Sequence, residues 1–232
     1  MTMIQDQIEA VHTRMLQACM TVGRPASAVS LLAVSKTFGP DAVRAAHQAG
    51  QLAFGENYIQ EAVEKITALR DLPLQWHCIG PIQSNKTRLV AEHFDWVQTV
   101  DRLKVAQRLS AQRPAHLPPL LVCIQVNVDG GPSKSGVPPE DALALARAVA
   151  ALPHLQLRGL MCIPEPTPDF VAACTVFERA RGLFDALNQQ GFKLDTLSMG
   201  MSADLEAAIA SGSTLVRVGS AIFGHRTYPD GH

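Results

Sequence analysis

The chain has 232 residues, 47% of them hydrophobic and 18% charged, with a formal charge of −1. That length suits two small domains or one α/β barrel and is ample for a large core. The balanced charge gives no basic surplus for nucleic acid and no acidic tail. No apolar stretch approaches the ~18 residues of a membrane span. Five cysteines, at 19, 78, 123, 162 and 174, form no C-x-x-C pair. Cys78, Cys123 and Cys162 lie inside apolar runs, which predicts small core residues in a reduced, cytoplasmic compartment. The eight histidines show no metal-ligand spacing, so no metal site is expected.

In chain order, Met3, Ile4, Ile8, Val11, Met15, Leu16 and Cys19 recur at three-to-four spacing and predict one amphipathic helix. Asp6, Glu9 and His12 interrupt any apolar block there, so neither a signal peptide nor an anchor is expected. Eight short apolar runs follow: Leu31–Val34, Leu52–Gly55, Leu74–Ile79, Trp96–Val100, Leu120–Val128, Leu155–Ile163, Thr196–Met199 and Leu215–Val218. Helical patterns alternate with them near 40–49, 57–69, 84–92, 102–112, 139–151, 168–190 and 203–211. Asn57, Ser84 and Ser202 read as helix starts, and Gly50, Gly191 and Gly212 as stops.

Eight strands with seven intervening helices, behind one leading helix, is the count of an α/β (β/α)8 TIM barrel. A doubly wound open sheet is the competing arrangement. No linker or composition shift divides the chain, so one domain over 1–232 is expected, with no short internal repeat.

In such a barrel, functional side chains sit at the C-terminal strand ends and the loops after them. Those ends carry Lys36, Glu56-Asn57, His77 and Gly80, Asp101, and Asn127 with Lys134-Ser135-Gly136 beyond. The last two ends carry Ser198-Met199-Gly200-Met201-Ser202 and Arg217 with Gly219-Ser220. Ser202 and Gly219-Ser220 stand where barrels often bind phosphate; read plainly, one caps a helix and the others turn the chain. Arg217 inside Thr-Leu-Val-Arg-Val-Gly needs a match for its charge, either an interior carboxylate or a ligand over the barrel mouth. Lys36 is either a solvated strand-end residue or an amine placed to form an imine with an aldehyde. A ligand with both phosphate and aldehyde is pyridoxal 5′-phosphate, although a sugar phosphate carries both groups too. His77 reads as a hydrogen-bonded core histidine, and Lys134 as a mouth residue or an anion binder.

The segments AVSKTF (33–38), FGENYIQE (54–61), WHCIGPIQSNK (76–86), SKSG (133–136), GLMCIP (159–164), LSMGMSADLEAAI (197–209) and VRVGSAIFG (216–224) span nearly the whole chain. In them the chain resembles the pyridoxal phosphate homeostasis protein family, single-domain relatives of the N-terminal barrel of alanine racemase. The resemblance implies that Lys36 holds the cofactor as a Schiff base, with Ser202, Gly219 and Ser220 at its phosphate. It places Arg217 at the pyridine nitrogen and Asn57 beside the ring. It implies a mostly monomeric cytoplasmic protein that carries, buffers or hands over pyridoxal 5′-phosphate. Transient contact with enzymes lacking that cofactor would follow, with effects on amino-acid and keto-acid balance. Two departures are mild: Asp129-Gly130-Gly131-Pro132 is glycine-rich, and Cys162 stands where an alanine is expected.

An arginine at the ring nitrogen has no proton to accept and disfavours the protonated ring, which weakens the electron sink. Racemisation also needs a second acid/base group on the opposite substrate face. In alanine racemase, the resemblance implies, a tyrosine from a partner's C-terminal domain supplies it. This chain has only Tyr58 and Tyr228 and ends at His232, so no such domain is expected. Binding with little or no turnover is therefore the leading expectation. A slow racemase and a Schiff-base aldolase are the enzymatic alternatives.

Overall fold

The computed structural model describes residues 3–131 and 135–224. A leading helix, α1 (Met3–Thr21), precedes eight strands: β1 (Ser30–Val34), β2 (Ala53–Glu56), β3 (Gln75–Cys78), β4 (Trp96–Val100), β5 (Leu120–Gln125), β6 (Leu155–Met161), β7 (Thr196–Ser198) and β8 (Leu215–Val218). They form a closed barrel in sequence order, with β1 pairing in parallel to both β2 and β8. Closure excludes the open sheet. The helices α2 (Pro40–Gln48), α3 (Ile59–Ala68), α4 (Thr87–His93), α5 (Leu103–Gln112), α6 (Ala142–Ala150), α7 (Phe170–Gln189) and α8 (Leu205–Ala210) fall between the strands as expected. A further turn of helix, α9 (Ser220–Phe223), follows β8 and was not anticipated. Its Ala-Ile-Phe composition reads equally well as strand.

Side-chain alternation divides the core into two layers. Leu31 and Ala33 of β1 join the large cluster between sheet and helices, which also takes in Ile8, Val11 and Met15 of α1. Leu32 and Val34 point the other way and meet Ile79 and Leu215 inside the barrel. A third, separate cluster holds Trp96, Cys123 and Met161.

Several boundaries differ from the periodicity. The runs Leu120–Val128 and Leu155–Ile163 overshoot their strands: Val126 and Cys162 still donate one bond each to the neighbouring strand, to the Met161 and Ser198 carbonyls, but regular pairing stops there while the buried apolar run continues to Val128. Asn57 is not a helix cap: α3 begins at Ile59, and Tyr58 precedes it. Ser202 is not one either, since Asp204 directly precedes α8 and its Oδ1 accepts the Met201 N–H at 2.6 Å. Ser84 opens a 3-10 turn instead of α4. The three glycine stops do hold the left-handed conformation, with φ of 91°, 94° and 96° at Gly50, Gly191 and Gly212.

Gly159 allows β6 to lie close to β7, where it pairs with Thr196. A Cβ there would overlap the Thr196 carbonyl, so backbone would have to move. Gly159→Ala is expected to cost about 3 kcal/mol and to lower Tm by roughly 10 °C in thermal denaturation. Gly182→Ala, on α7 with open space around it, should instead hold or raise stability by up to about 1 kcal/mol.

Candidate functional site

The C-terminal strand ends enclose a cavity of about 430 Å³ lined by Val34, Lys36, Asn57, Ile79, Ile163, Met201, Ser202, Ala203, Arg217, Gly219 and Ser220. All six residues singled out as binders thus meet at one place. That volume falls within the roughly 300–1,000 Å³ of small-molecule sites. His77, Asp101 and Asn127 do not line it. Asp101 borders an adjoining mouth cavity, and Asn127 closes its own loop, accepting the Gly130 N–H and donating to the Gly131 carbonyl. Lys134 lies outside the described residues.

Lys36 follows β1 two residues beyond Val34, on the inward side. It is exposed, and its amine makes no hydrogen bond or ion pair with any described residue. Its neighbours, by contrast, are fixed. Ser35 Oγ donates to Glu56 Oε1 at 2.5 Å, and the Thr37 N–H donates to Glu61 Oε1 at 2.8 Å. Thr37 holds φ at 67°, an uncommon conformation for a residue with a branched Cβ, so the turn depends on those contacts. Both carboxylates converge on Lys65. Its Nζ lies 2.7 Å from Glu56 Oε1 and 3.2 Å from Glu61 Oε1, and donates to the Ser35 carbonyl at 2.8 Å. Burial pushes the Glu56 carboxyl up from its ordinary pKa, and Lys65 opposes that.

Asn57 presents a buried side-chain oxygen, Oδ1, that has no partner. Gly80 makes this position possible, because a Cβ there would collide with the Asn57 carbonyl. Across the cavity, the Ser202 and Ser220 hydroxyls lie 3.4 Å apart. Gly219 precedes α9, and the first N–H groups of a helix have no acceptor within it.

Arg217 is 3% exposed. No carboxylate of the described residues pairs with it, which removes the interior salt bridge as its explanation. Nη1 donates to Ser198 Oγ at 2.7 Å and Nη2 to the Cys162 carbonyl at 2.9 Å. Only the backbone of Cys162 is used, so the departure from alanine is immaterial to this contact. Burial lowers the Arg217 pKa. Behind Ser198 lie Gln98, whose Oε1 accepts the Ser198 hydroxyl at 2.6 Å, and His77, whose Nδ1 is 2.9 Å from Gln98 Nε2. His77 is therefore the hydrogen-bonded core histidine that was expected, and burial pushes its pKa down to about 3.

Sequence reading missed Lys65, Gln98 and the role of Ser198. Lys65 had a signal: with Ile59, Ala62 and Leu69 it occupies the buried stripe of α3, an unusual place for an amine. Gln98 and Ser198 each sit inside an apolar strand, as Arg217 does.

Two outcomes test these contacts. Lys65→Met leaves Glu56 buried and unpaired and is expected to cost about 3–5 kcal/mol in denaturant unfolding. The added Glu56→Gln exchange should recover part of that loss. His77 takes a proton near 6.5 when unfolded and near 3 when folded. The unfolded chain thus binds more protons between those values, and stability falls as pH drops through that window. The slope for this one group is up to about 1.4 kcal/mol per pH unit, and His77→Phe should flatten it.

A family model described as "Alanine racemase, N-terminal domain" matches residues 12–227. A pyridoxal phosphate homeostasis protein of Pseudomonas aeruginosa is 60% identical over 228 residues, covering 98% of this chain and 98% of that protein. Among solved structures, PipY of Synechococcus elongatus with PLP bound superposes with a TM-score of 0.83 at 37% identity, covering 95% of this chain and all of that one. An alanine racemase of Clostridium difficile shares the fold, with a TM-score of 0.72 at 16% identity; the match covers 94% of this chain and 58% of that protein. The chain belongs to the alanine racemase N-terminal domain family and, within it, to the pyridoxal phosphate homeostasis proteins.

Proposed function

We propose that this protein binds pyridoxal 5′-phosphate in the mouth cavity, holds it through Lys36, and buffers or delivers it with little turnover. The observation that carries this is the set of polar groups around one cavity: an amine and a buried guanidinium with no carboxylate partner among the described residues, two neighbouring hydroxyls and an amide oxygen without a donor. When bound, the cofactor supplies an electrophilic aldehyde on an electron-withdrawing ring. Lys36 would hold that aldehyde through its amine, and because an amine–aldehyde linkage is reversible in water the same residue would also permit release.

Ser202, Ser220 and the backbone at Gly219 hold the phosphate. Arg217 faces the ring nitrogen as a donor that has no proton to take up, which disfavours a protonated ring. Asn57 packs beside the ring. Among the described residues lining the cavity, Lys36 and Arg217 are the only ionisable side chains. Racemisation needs a second acid/base group opposite the first, so the lining favours storage over turnover. In this reading the protein works as a cytoplasmic monomer that meets cofactor-free enzymes transiently. The closeness to proteins named for pyridoxal phosphate homeostasis, and PipY with PLP bound, supports it.

Absorption spectroscopy with added pyridoxal 5′-phosphate tests the reading. The parent should develop a visible Schiff-base band that borohydride abolishes, and Lys36→Ala should lack it. Ser202→Ala with Ser220→Ala should weaken binding by about tenfold or more, as expected for lost hydrogen bonds to a charged group. Added amino acids should exchange their α-hydrogen for deuterium at no more than a trace rate. A parent that stays colourless would sink the cofactor assignment, and fast exchange would sink the claim of low turnover.

A further inference from the structure

Arg217 ends a line of hydrogen bonds that crosses the barrel interior. The line runs from Arg217 on β8 to Ser198 on β7, Gln98 on β4, His77 on β3 and Gln75. Ser198 and Gln98 are fully buried, and His77 nearly so. Gln75 and His77 reach a second cavity, of about 410 Å³, which opens among residues at the N-terminal ends of the strands, including Ser30 and Thr196. The line thus connects the mouth cavity to the barrel floor.

The direction of every proton follows from one end. A guanidinium only donates, so Ser198 Oγ must accept from it. A hydroxyl can accept twice, but the buried Ser198 proton has no acceptor other than Gln98 among the described residues, which turns the Gln98 amide oxygen toward β7. The amide NH2 is left facing His77, so Nδ1 must be the acceptor. The His77 proton is consequently on Nε2, which lies 3.2 Å from Gln75 Oε1. Amide orientations and histidine tautomers are ordinarily ambiguous; here a group that cannot accept, together with a buried hydroxyl proton that must be satisfied, selects one order. The ring of His77 is held in turn by a stack on Trp96, with centroids 5.0 Å apart and planes 8° off parallel.

Each member presents its negative end toward Arg217. Oriented dipoles of this kind reinforce one another in a low-dielectric interior. They match a charge that no carboxylate of the described residues matches. Ser198 and the Cys162 carbonyl take up two of its N–H groups, and Arg217 also lines the mouth cavity.

We propose that Gln98 and His77 are positioning residues for Arg217, fixing the donor it offers to a ligand ring nitrogen although neither residue lines the mouth cavity. The ligand part of this inference rests on the reading that the cavity holds pyridoxal 5′-phosphate. The proton direction does not, and the experiment separates them.

Nitrogen-15 NMR of histidine-labelled protein, without cofactor, reads the His77 tautomer. The expected result is a protonated Nε2 and a bare Nδ1, and a protonated Nδ1 would overturn the relay. Titration with ring-15N-labelled pyridoxal 5′-phosphate then compares the parent with Gln98→Met and with His77→Phe, which keeps an aromatic ring on Trp96. Gln98→Met should raise Kd about tenfold, the worth of one charge-assisted hydrogen bond, and move the ring-nitrogen shift while the phosphate 31P shift stays put. His77→Phe should act in the same sense and less strongly, and it carries the test if Gln98→Met does not fold. Unchanged Kd and ring-nitrogen shift in a folded variant would reduce the line to core filling and overturn the proposal. A parent that binds no pyridoxal 5′-phosphate would overturn the proposed function and with it the ligand part here, leaving the tautomer as the measure of the relay.

Discussion

A guanidinium buried in the barrel with no carboxylate partner among the described residues sets terms for everything around it. Moving such a charge out of water is expensive unless it is matched, and a carboxylate is the ordinary match. Arg217 instead has a hydroxyl, a backbone carbonyl and, behind the hydroxyl, an amide and a neutral imidazole. That choice has a chemical consequence. A carboxylate beside Arg217 would neutralise it before any ligand arrived. Neutral dipoles stabilise the charge and leave it in place, so a ligand in the cavity meets a cation that is held but not quenched.

The opposite wall of the cavity follows a different rule. The ion cluster of Lys65 with Glu56 and Glu61 lies beneath the turn that carries Lys36 and fixes the residues on both sides of it. The Lys36 amine itself makes no hydrogen bond or ion pair with any described residue. The proposed hold and release of a ligand through that amine would need both properties at once: a backbone that does not wander, and an amine that no ion pair has to surrender before it reacts. The positive φ at Thr37 is a cost of that turn, and the contact with Glu61 offsets it.

Much of this was legible in the linear sequence, and what was not has a common physical cause. The barrel could be counted because each strand is a compact apolar run followed by a helical period. Lys36, Arg217 and the Ser202, Gly219 and Ser220 group could be named because barrel chemistry concentrates at known strand ends. Helix starts were misread at Asn57 and Ser202, since residues that favour caps also occur in the turns before a helix and on cavity walls, and local pattern cannot tell the places apart. Gln98 and Ser198 are 100 residues apart, and only closure of the sheet brings them together. Lys65 is the exception, because its place on the buried stripe of α3 was readable by simple helix geometry.

Apolar and polar side chains share the barrel interior. Interior side chains of such a barrel are ordinarily a packed apolar core. Here the apolar part is divided into one group around Leu32, Val34, Ile79 and Leu215 and another around Trp96, Cys123 and Met161. The polar line from Arg217 to His77 shares that interior with them. A buried polar line is tolerated only when each member is satisfied, and this one is satisfied by running in a single direction from a donor that cannot reverse. Its stability and its direction therefore have the same origin, the guanidinium. A substitution that relieved the burden of burying that charge would also remove the reason for the order of the groups behind it.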